Sequence, residues 1–522
     1  MEQFSKEFQN IVRGIVIVIA VLCGVVLGVA CIFPDNYFLP LLVLFETVFI
    51  LSLVAKDKVS YVYALVCGFS FHLTAMWWLW PTLKRFGDMP SFAAFFLMTL
   101  HSLLSGVQFA LPLLISRRIS RSDLKILTFI CAWVASELFW PRLFPWGVGN
   151  FFVHLKFISS YAEVAGVFGL SLLILLVAYL IWKLVFKKNC MQKWCKVTIP
   201  LFICFILYIG SFLDSRAMQE EAIAIDNSAL IVQGNLSTEK KGIQEYFTAN
   251  LDLYRNLSVS EEHYDFIVWP ESVASQWYNA DRRRYDEQSP NPFPNAKVPL
   301  LYGGLSYQRG VSSTGVSEVE IYNSALLKEP FSDVSELYSK RILMPFGEYV
   351  PFTNYFPWIR NLTPIKKDFN IGKNLYPISI QVDDGKIIKA GVSICYEDLS
   401  AEINRGFVKN GAQVLINLTN DAWYGDTPAP FQHDLLARQR AIESRRYLLR
   451  STNTGLTSLI SSRGERIRVL PLFTEASEVF NFKILDRRTM FVEYGYTPLY
   501  LVLGLTFFSC LVLDRRRYHL DC

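Results

Sequence analysis

Apolar residues follow two regimes along this chain. Before residue 214 they gather into seven long runs, at roughly 14–33, 38–55, 60–80, 91–115, 126–142, 162–184 and 197–213, and an eighth covers about 497–513. A bilayer core about 30 Å thick is crossed by about 20 apolar residues in a helix, so the pattern predicts about eight spans. Between the seventh and eighth runs no apolar stretch approaches that length, and Asn, Asp, Glu, Lys, Arg and Pro are frequent. The expected organisation is seven membrane helices over 1–214, one soluble domain over 215–495, and a last span with a short tail over 496–522.

Charge orients this arrangement. Loops on one side carry Lys6, Arg13, Lys56, Lys58, Arg117, Arg118, Arg121, Lys125, Lys183, Lys187, Lys188, Lys193, Lys196 and Arg515 to Arg517, whereas the opposite short loops carry only Lys84, Arg85, Arg142 and Lys156. Basic residues favour the cytoplasmic side. Both termini are therefore expected in the cytoplasm, with 215–495 facing outward. The first run is too long for a signal-peptide core, and Leu27-Gly28-Val29-Ala30-Cys31 departs from a lipoprotein processing site at Gly28, where a larger apolar residue is normal, so a retained span is expected. Composition agrees: 52% hydrophobic and 19% charged, against about 25% charged in an ordinary soluble domain. A net charge of +5 is too small to suggest a nucleic-acid partner.

Within 215–495 strand and helix signals alternate. Ala229–Gln233, Phe266–Trp269, Pro299–Tyr302, Ser324–Leu327, Ile387–Ile394, Gln413–Ile416, a run near Leu448 and Leu456–Ile460 read as strands. Leu399–Lys409 and Gln432–Arg445 read as helices, with a hairpin at Ser462-Arg463-Gly464. The pattern predicts a mixed α/β domain with helices covering its sheet.

Polar residues interrupt the pattern in three places where strands end, the usual position of chemistry in such folds. Glu271 follows Trp269-Pro270, a half-buried setting suited to proton transfer. Lys340 precedes an apolar turn, Met344-Pro345-Phe346-Gly347-Glu348, where an ammonium could stabilise an oxyanion or a thiolate. Glu348 reads as an acceptor for backbone N–H groups. Cys395 ends a strand just before a helix, where N-terminal amides lower a thiol's pKa, and Glu397 could take part in acid/base work or orient Lys340. Taken singly, each has an ordinary alternative: a salt-bridge acid, a solvated lysine, a buried structural thiol. Cys395 is the one cysteine of 215–495, so an internal disulfide is excluded there. The two histidines of that segment, His263 and His433, form no recognisable pair with the thiol, and no metal-ligand spacing, Walker loop or dinucleotide fingerprint is present. Neither metal nor cofactor is expected.

In order and local context, Glu271, Lys340 and Cys395 resemble the Glu-Lys-Cys triad of the nitrilase, or carbon–nitrogen hydrolase, superfamily, at separations of 69 and 55 residues. With the multi-span N-terminal half and the single C-terminal span, the chain resembles the apolipoprotein N-acyltransferase family throughout. Further matching stretches are Val232-Gln-Gly-Asn235, Asn417–Gly425, Arg438–Glu443, Thr452–Gly455, Trp133–Leu138 and Phe144-Pro-Trp146. The resemblance implies an αββα sandwich for the outward domain. It makes Cys395 the nucleophile, Glu271 the general base and Lys340 the oxyanion stabiliser. Glu348, Tyr396 and Glu397 would support the site, and Trp423 would help form the acyl-binding wall. Trp277 and Tyr278, in a segment at 273–297, and Phe352, Tyr355, Phe356 and Trp358, in a segment at 350–372, are expected to be exposed in lids that meet the membrane interface. Two departures stand out: Lys241 is followed by Gly242 where the family has Lys-Trp, and the family's Glu-x-Leu-Arg reads Glu137-Leu-Phe-Trp.

The implied reaction moves a fatty acyl chain from a membrane phospholipid, through a Cys395 thioester, to the N-terminal amine of a diacylglyceryl-apolipoprotein. The implied setting is a monomer in the bacterial inner membrane with a periplasmic catalytic domain. The competing readings are a membrane-tethered nitrilase-like amidase that passes its acyl group to water, and a transporter with an extracytoplasmic binding domain. The spans carry few charges, Glu137 being the clearest, which gives a transport pathway little support.

Overall fold

The computed structural model describes every residue except 1, 34, 37, 57–59, 88, 187–191, 238–245, 288, 312–316, 363, 364, 366, 383, 384 and 519–522. The chain folds as two compact units: residues 1–215 with 426–439 and 494–522, and residues 216–425 with 440–493. Residues 426–439 thus fall with the first unit although they lie inside the expected soluble segment. Lys241 and Gly242, where the sequence departs from the family pattern, lie outside the described residues.

The first unit is helical. Its elements are α1 (Glu2–Ile32), α2 (Leu39–Ala55), α3 (Tyr61–Ala75), α4 (Leu79–Phe86), α5 (Ser91–Ser116), α6 (Ser122–Phe139), the short α7 (Lys156–Ser159), α8 (Ala162–Phe186), most of α9 (Gln192–Ile223), and a final helix, Thr497–Tyr518. Each of the eight apolar runs is therefore helical. Among the described residues, however, only five helices are long and apolar enough to cross a membrane, or six if α3 and α4, bent by 52°, form one span. Helix α2 has 17 residues, and the 18 residues of α6 include Asp123, Lys125 and Glu137. The bend leaves backbone groups without helical partners, and in an apolar bundle these need others. The side chain of Gln432 supplies one such partner: its Nε2 donates to the Ala75 carbonyl at 2.9 Å, while its Oε1 accepts from the Trp78 indole Nε1 at 3.0 Å. Glu137 is tied down similarly, its Oε1 accepting from Trp133 Nε1 and from Val148 N, both at 2.9 Å. The guanidinium of Arg142 bonds the carbonyls of Glu137 and Trp146.

The second unit contains two sheets. One has seven strands in the order β13-β1-β2-β4-β5-β6, with β3 (Ala274–Asn279) paired to β4 alone; the other has six in the order β12-β11-β10-β9-β8-β7. In the first sheet β1 (Asp226–Gln233), β2 (Phe266–Val268) and β4 (Leu300–Val311) run parallel, while β5 (Ser317–Lys328), β6 (Val334–Ser339) and β13 (Ala476–Lys483) pair antiparallel to their neighbours. In the second, β8 (Ile387–Ile394), β9 (Val414–Thr419) and β10 (Leu448–Thr452) are parallel, flanked by antiparallel β7 (Ile378–Gln381), β11 (Ser458–Ile460) and β12 (Arg466–Val469). The sheets meet face to face, for Ser451 Oγ on β10 reaches the Val232 and Val268 carbonyls at 3.3 and 3.5 Å.

Strands buried on both faces explain the continuous apolar runs in the sequence. Outside the first sheet, helix Phe247–Leu257 seats Tyr254 on Trp269 at a ring distance of 5.3 Å. On the second sheet, helix Ala401–Lys409 inserts Phe407 against Gly391, whose absent Cβ would lie 2.7 Å from the Phe407 Cβ. Phe407 is fully buried and meets Tyr338 edge-on at 5.2 Å. Phe407→Ala is expected to destabilise this unit by about 3–5 kcal/mol, read as a lowered melting temperature of the purified chain.

Candidate active site

The three residues singled out by the sequence converge at one end of the second unit's sheets. Glu271 follows β2 in a tight turn, with Ser272 at φ +53°. The turn is pressed onto Gly303 of β4: a Cβ there would stand 2.6 Å from the Glu271 Cα, so only glycine fits. Lys340 follows β6, its backbone N–H bonded to the Asn323 carbonyl at 2.8 Å. Cys395 opens a five-residue 3-10 turn, Cys395–Leu399, directly after β8.

Lys340 is 1% exposed, which removes the solvated-lysine alternative. Its Nζ lies 3.0 and 2.9 Å from the two carboxylate oxygens of Glu348 and 3.6 Å from Glu271 Oε1. Asn323 closes the group, its Nδ2 donating to Glu271 Oε1 at 2.8 Å and to Glu348 Oε1 at 2.7 Å. Glu348 also accepts from Met344 N at 2.8 Å, as expected of an acid in that turn. Burial alone would pull the Lys340 ammonium down, but Glu348, then Cys395 and Glu271, hold it above the ordinary lysine value.

Cys395 is 8% exposed and stands at φ +53°, a strained conformation costing about 1–3 kcal/mol that its surroundings must enforce. Glu397 is the main enforcer. Its Oε2 accepts from Ile394 N at 2.8 Å, and its Oε1 from Arg341 N at 2.6 Å, Ile342 N at 3.1 Å and Tyr338 Oη at 2.9 Å. Asn417 Nδ2 adds a bond to the Cys395 carbonyl at 3.0 Å. Two expectations are corrected here. Glu348, not Glu397, orients Lys340; Glu397 shapes the backbone that carries both the lysine and the thiol. Nor does a helix terminus lower the thiol's pKa, since helix Ala401–Lys409 begins only after the 3-10 turn. Burial pushes the Cys395 thiol well up, Glu271 pushes it further, Lys340 opposes them, and Asp421 and Glu348 add to the rise. A thiol held above its ordinary value keeps its proton at neutral pH.

The remaining residues named from sequence lie on turns and strands. Tyr396 is half-buried in the same 3-10 turn as Cys395. Trp423 is 45% exposed in the turn Asp421–Tyr424. Trp358 is 59% exposed in a 3-10 turn, Pro357–Leu362, beside exposed Phe352, Tyr355 and Phe356. Trp277 sits on β3 and stacks on Phe369 at 6.2 Å, and Tyr278 beside it is buried in the core rather than exposed, so this part of the expected 273–297 lid is sheet. Asn323, absent from the sequence-derived set, is central to the geometry. Its signal was a buried amide one residue before the apolar Ser324–Leu327 run. Among the described residues no His, Cys, Asp and Glu cluster could hold a metal ion.

Opposed effects of one substitution test the base. Glu271→Gln removes a negative charge beside the thiol, so direct alkylation of Cys395 should reach its midpoint at lower pH. Turnover, which needs the base, should fall by about 10²–10⁴-fold. Iodoacetamide labelling followed against pH, beside turnover, reads both.

Two family profiles match the chain in tandem: the apolipoprotein N-acyltransferase N-terminal domain over residues 23–180 and carbon–nitrogen hydrolase over 229–479. The apolipoprotein N-acyltransferase of Geobacter metallireducens is 27% identical over 512 residues, 96% of each chain. That of Nitrosomonas europaea is 28% identical over 499 residues, 92% of this chain and 94% of the other. The solved structure of an amidase from Nesterenkonia sp. AN1 overlays with a TM-score of 0.33 and 15% identity, covering 52% of this chain and 98% of that one. The two profiles in order, with relatives aligned nearly end to end, place this chain in the apolipoprotein N-acyltransferase family of the carbon–nitrogen hydrolases.

Proposed function

We propose that the protein transfers a fatty acyl chain from a membrane phospholipid to the N-terminal amine of diacylglyceryl-apolipoproteins, through a thioester on Cys395. The observation that carries this reading is the buried Glu271–Lys340–Glu348–Asn323 group beside a strained, protonated thiol. Glu271 takes the thiol proton as sulfur attacks the ester carbonyl, and the Lys340 ammonium stabilises the tetrahedral oxyanion. Collapse breaks the ester C–O bond. The proton held by Glu271 passes to the leaving oxygen, and lysophospholipid departs. In the second half-reaction the free α-amine attacks the thioester, its proton goes to Glu271, and the Cys395 thiolate leaves and regains a proton.

Glu348 and Asn323 fix the lysine and the base, and Tyr396 and Trp423 border the acyl group. The apolar helices fit substrates that are themselves anchored in a bilayer. The imbalance of sixteen basic residues against four in the loops supports cytoplasmic termini and a periplasmic catalytic unit in a bacterial inner membrane. Exposed Phe352, Tyr355, Phe356 and Trp358 support a lid that dips into the membrane interface, where aromatic rings are favoured.

The test is a reconstituted transfer assay with phospholipid vesicles and a diacylglyceryl-cysteine peptide. Wild type should N-acylate the peptide, and Lys340→Met should lose about 10²–10³-fold, as for removal of one oxyanion donor. Serine at Phe352, Tyr355, Phe356 and Trp358 together should raise KM for vesicular phospholipid more than it lowers kcat. Free fatty acid released at the same rate with and without peptide would instead make the protein an acyl hydrolase.

A further inference from the structure

Behind the thiol lies a charge cluster that the reaction above does not use. Arg450, at the centre of β10, is fully buried. Its Nε donates to Asp398 Oδ2 at 3.1 Å, and its Nη2 lies 4.0 Å from Asp421 Oδ2. Both acids are buried as well. Asp398 belongs to the turn that Cys395 opens, and Asp421 opens the turn that carries Trp423. The register explains the meeting. Ser393 on β8, Asn417 on β9 and Arg450 on β10 are successive partners across the parallel strands, so their side chains lie in one row. In that row Asn417 holds the Cys395 carbonyl and Arg450 holds Asp398, the second acid of the turn. Close packing leaves Asp421 little freedom, since a Cβ on Gly455 would fall 2.2 Å from its Oδ2.

We propose that Arg450 is a positioning residue for the nucleophile, joining the turn of Cys395 to the turn of Trp423 through Asp398 and Asp421 and balancing the charge of both acids. A buried ion cluster is a poor source of stability, and apolar residues of similar volume often do better; its placement here, one turn behind the thiol, gives it an electrostatic task. The groups facing the thiol are Glu271, Lys340, Glu348 and Asp421 from neighbouring elements, with Tyr424 also in electrostatic reach and Tyr396, Glu397 and Asp398 on its own turn. Asp421 is among the charges that push the thiol up, and Arg450 limits that push. Through the same pair, displacement of the Trp423 turn is transmitted to the turn of Cys395. This inference rests on Cys395 being the nucleophile.

The test follows iodoacetamide labelling of Cys395 against pH in the full-length protein, by peptide mass spectrometry. Arg450→Gln leaves the acids uncompensated, so labelling below the midpoint should slow on the order of three- to ten-fold, as the midpoint rises by up to about one pH unit. Asp421→Asn should move it the opposite way. Arg450→Lys, which keeps the charge and loses the fork, should leave the labelling profile in place while kcat for acyl transfer falls and KM for phospholipid holds. A merely structural cluster would move both charge variants in the same direction, or neither; either result overturns the proposal. Should Arg450→Gln fail to accumulate, Asp421→Asn and Arg450→Lys carry the test alone. Wild-type protein labelled at no pH, although its unfolded form reacts, would instead remove Cys395 from the reaction, a distinct failure.

Discussion

An ammonium group taken out of water must find opposite charge where it stands, since an uncompensated buried cation costs several kcal/mol. Lys340 meets that requirement with Glu348 on both oxygens and Glu271 at 3.6 Å, and much of the local architecture follows from it. Two acids close to one lysine leave lone pairs to satisfy, which places Asn323 between them. The turn that supplies Glu348 must approach the end of β6, which its bond from Met344 N secures. Glu271 must sit in a turn so tight that the facing strand has to carry glycine at 303. In the proposed reaction the same group supplies a base, a cation for a developing oxyanion, and a thiol whose resting proton is held by burial.

A second layer of buried polar groups holds the backbone that presents these side chains. Glu397 collects three backbone N–H groups and a tyrosine hydroxyl, which fixes the strained elbow at Cys395 to the stretch after Lys340. Burial keeps Glu397 above the usual carboxylate range against those donors. The helical unit follows the same rule in apolar surroundings, where Gln432 bonds the Ala75 carbonyl at the break between α3 and α4 and Glu137 is held by an indole and a backbone N–H.

Much of this was legible in the residues because burial writes a pattern. The parallel strands β1, β2, β8, β9 and β10 are covered on both faces and read as apolar runs, and Glu271, Lys340 and Cys395 stand out as polar exits from such runs. β3, β6 and β13 were not legible. Val334–Ser339 and Ala476–Lys483 bury only part of their length and carry polar residues throughout, and Ala274–Asn279 pairs on one side alone. The role of Glu397 was misassigned, because sequence shows an acid near a lysine but not which of two acids reaches it. Asn323 and Arg450 escaped notice because their function depends on neighbours 25 to 52 residues away. Among the described residues five or six helices pass by length and composition where eight apolar runs were read, because α2 is short and α6 carries charges.

The central claim is that this buried group exists to charge Cys395 with an acyl chain and to reserve it for an amine. Mass spectrometry of the Cys395 peptide after incubation of the purified protein with phospholipid, beside Cys395→Ala, tests it directly. The account predicts a fatty-acyl mass on Cys395 that survives in water and is cleared by a diacylglyceryl-cysteine peptide. An adduct cleared by water alone, or acyl transfer that continues in Cys395→Ala, would contradict it.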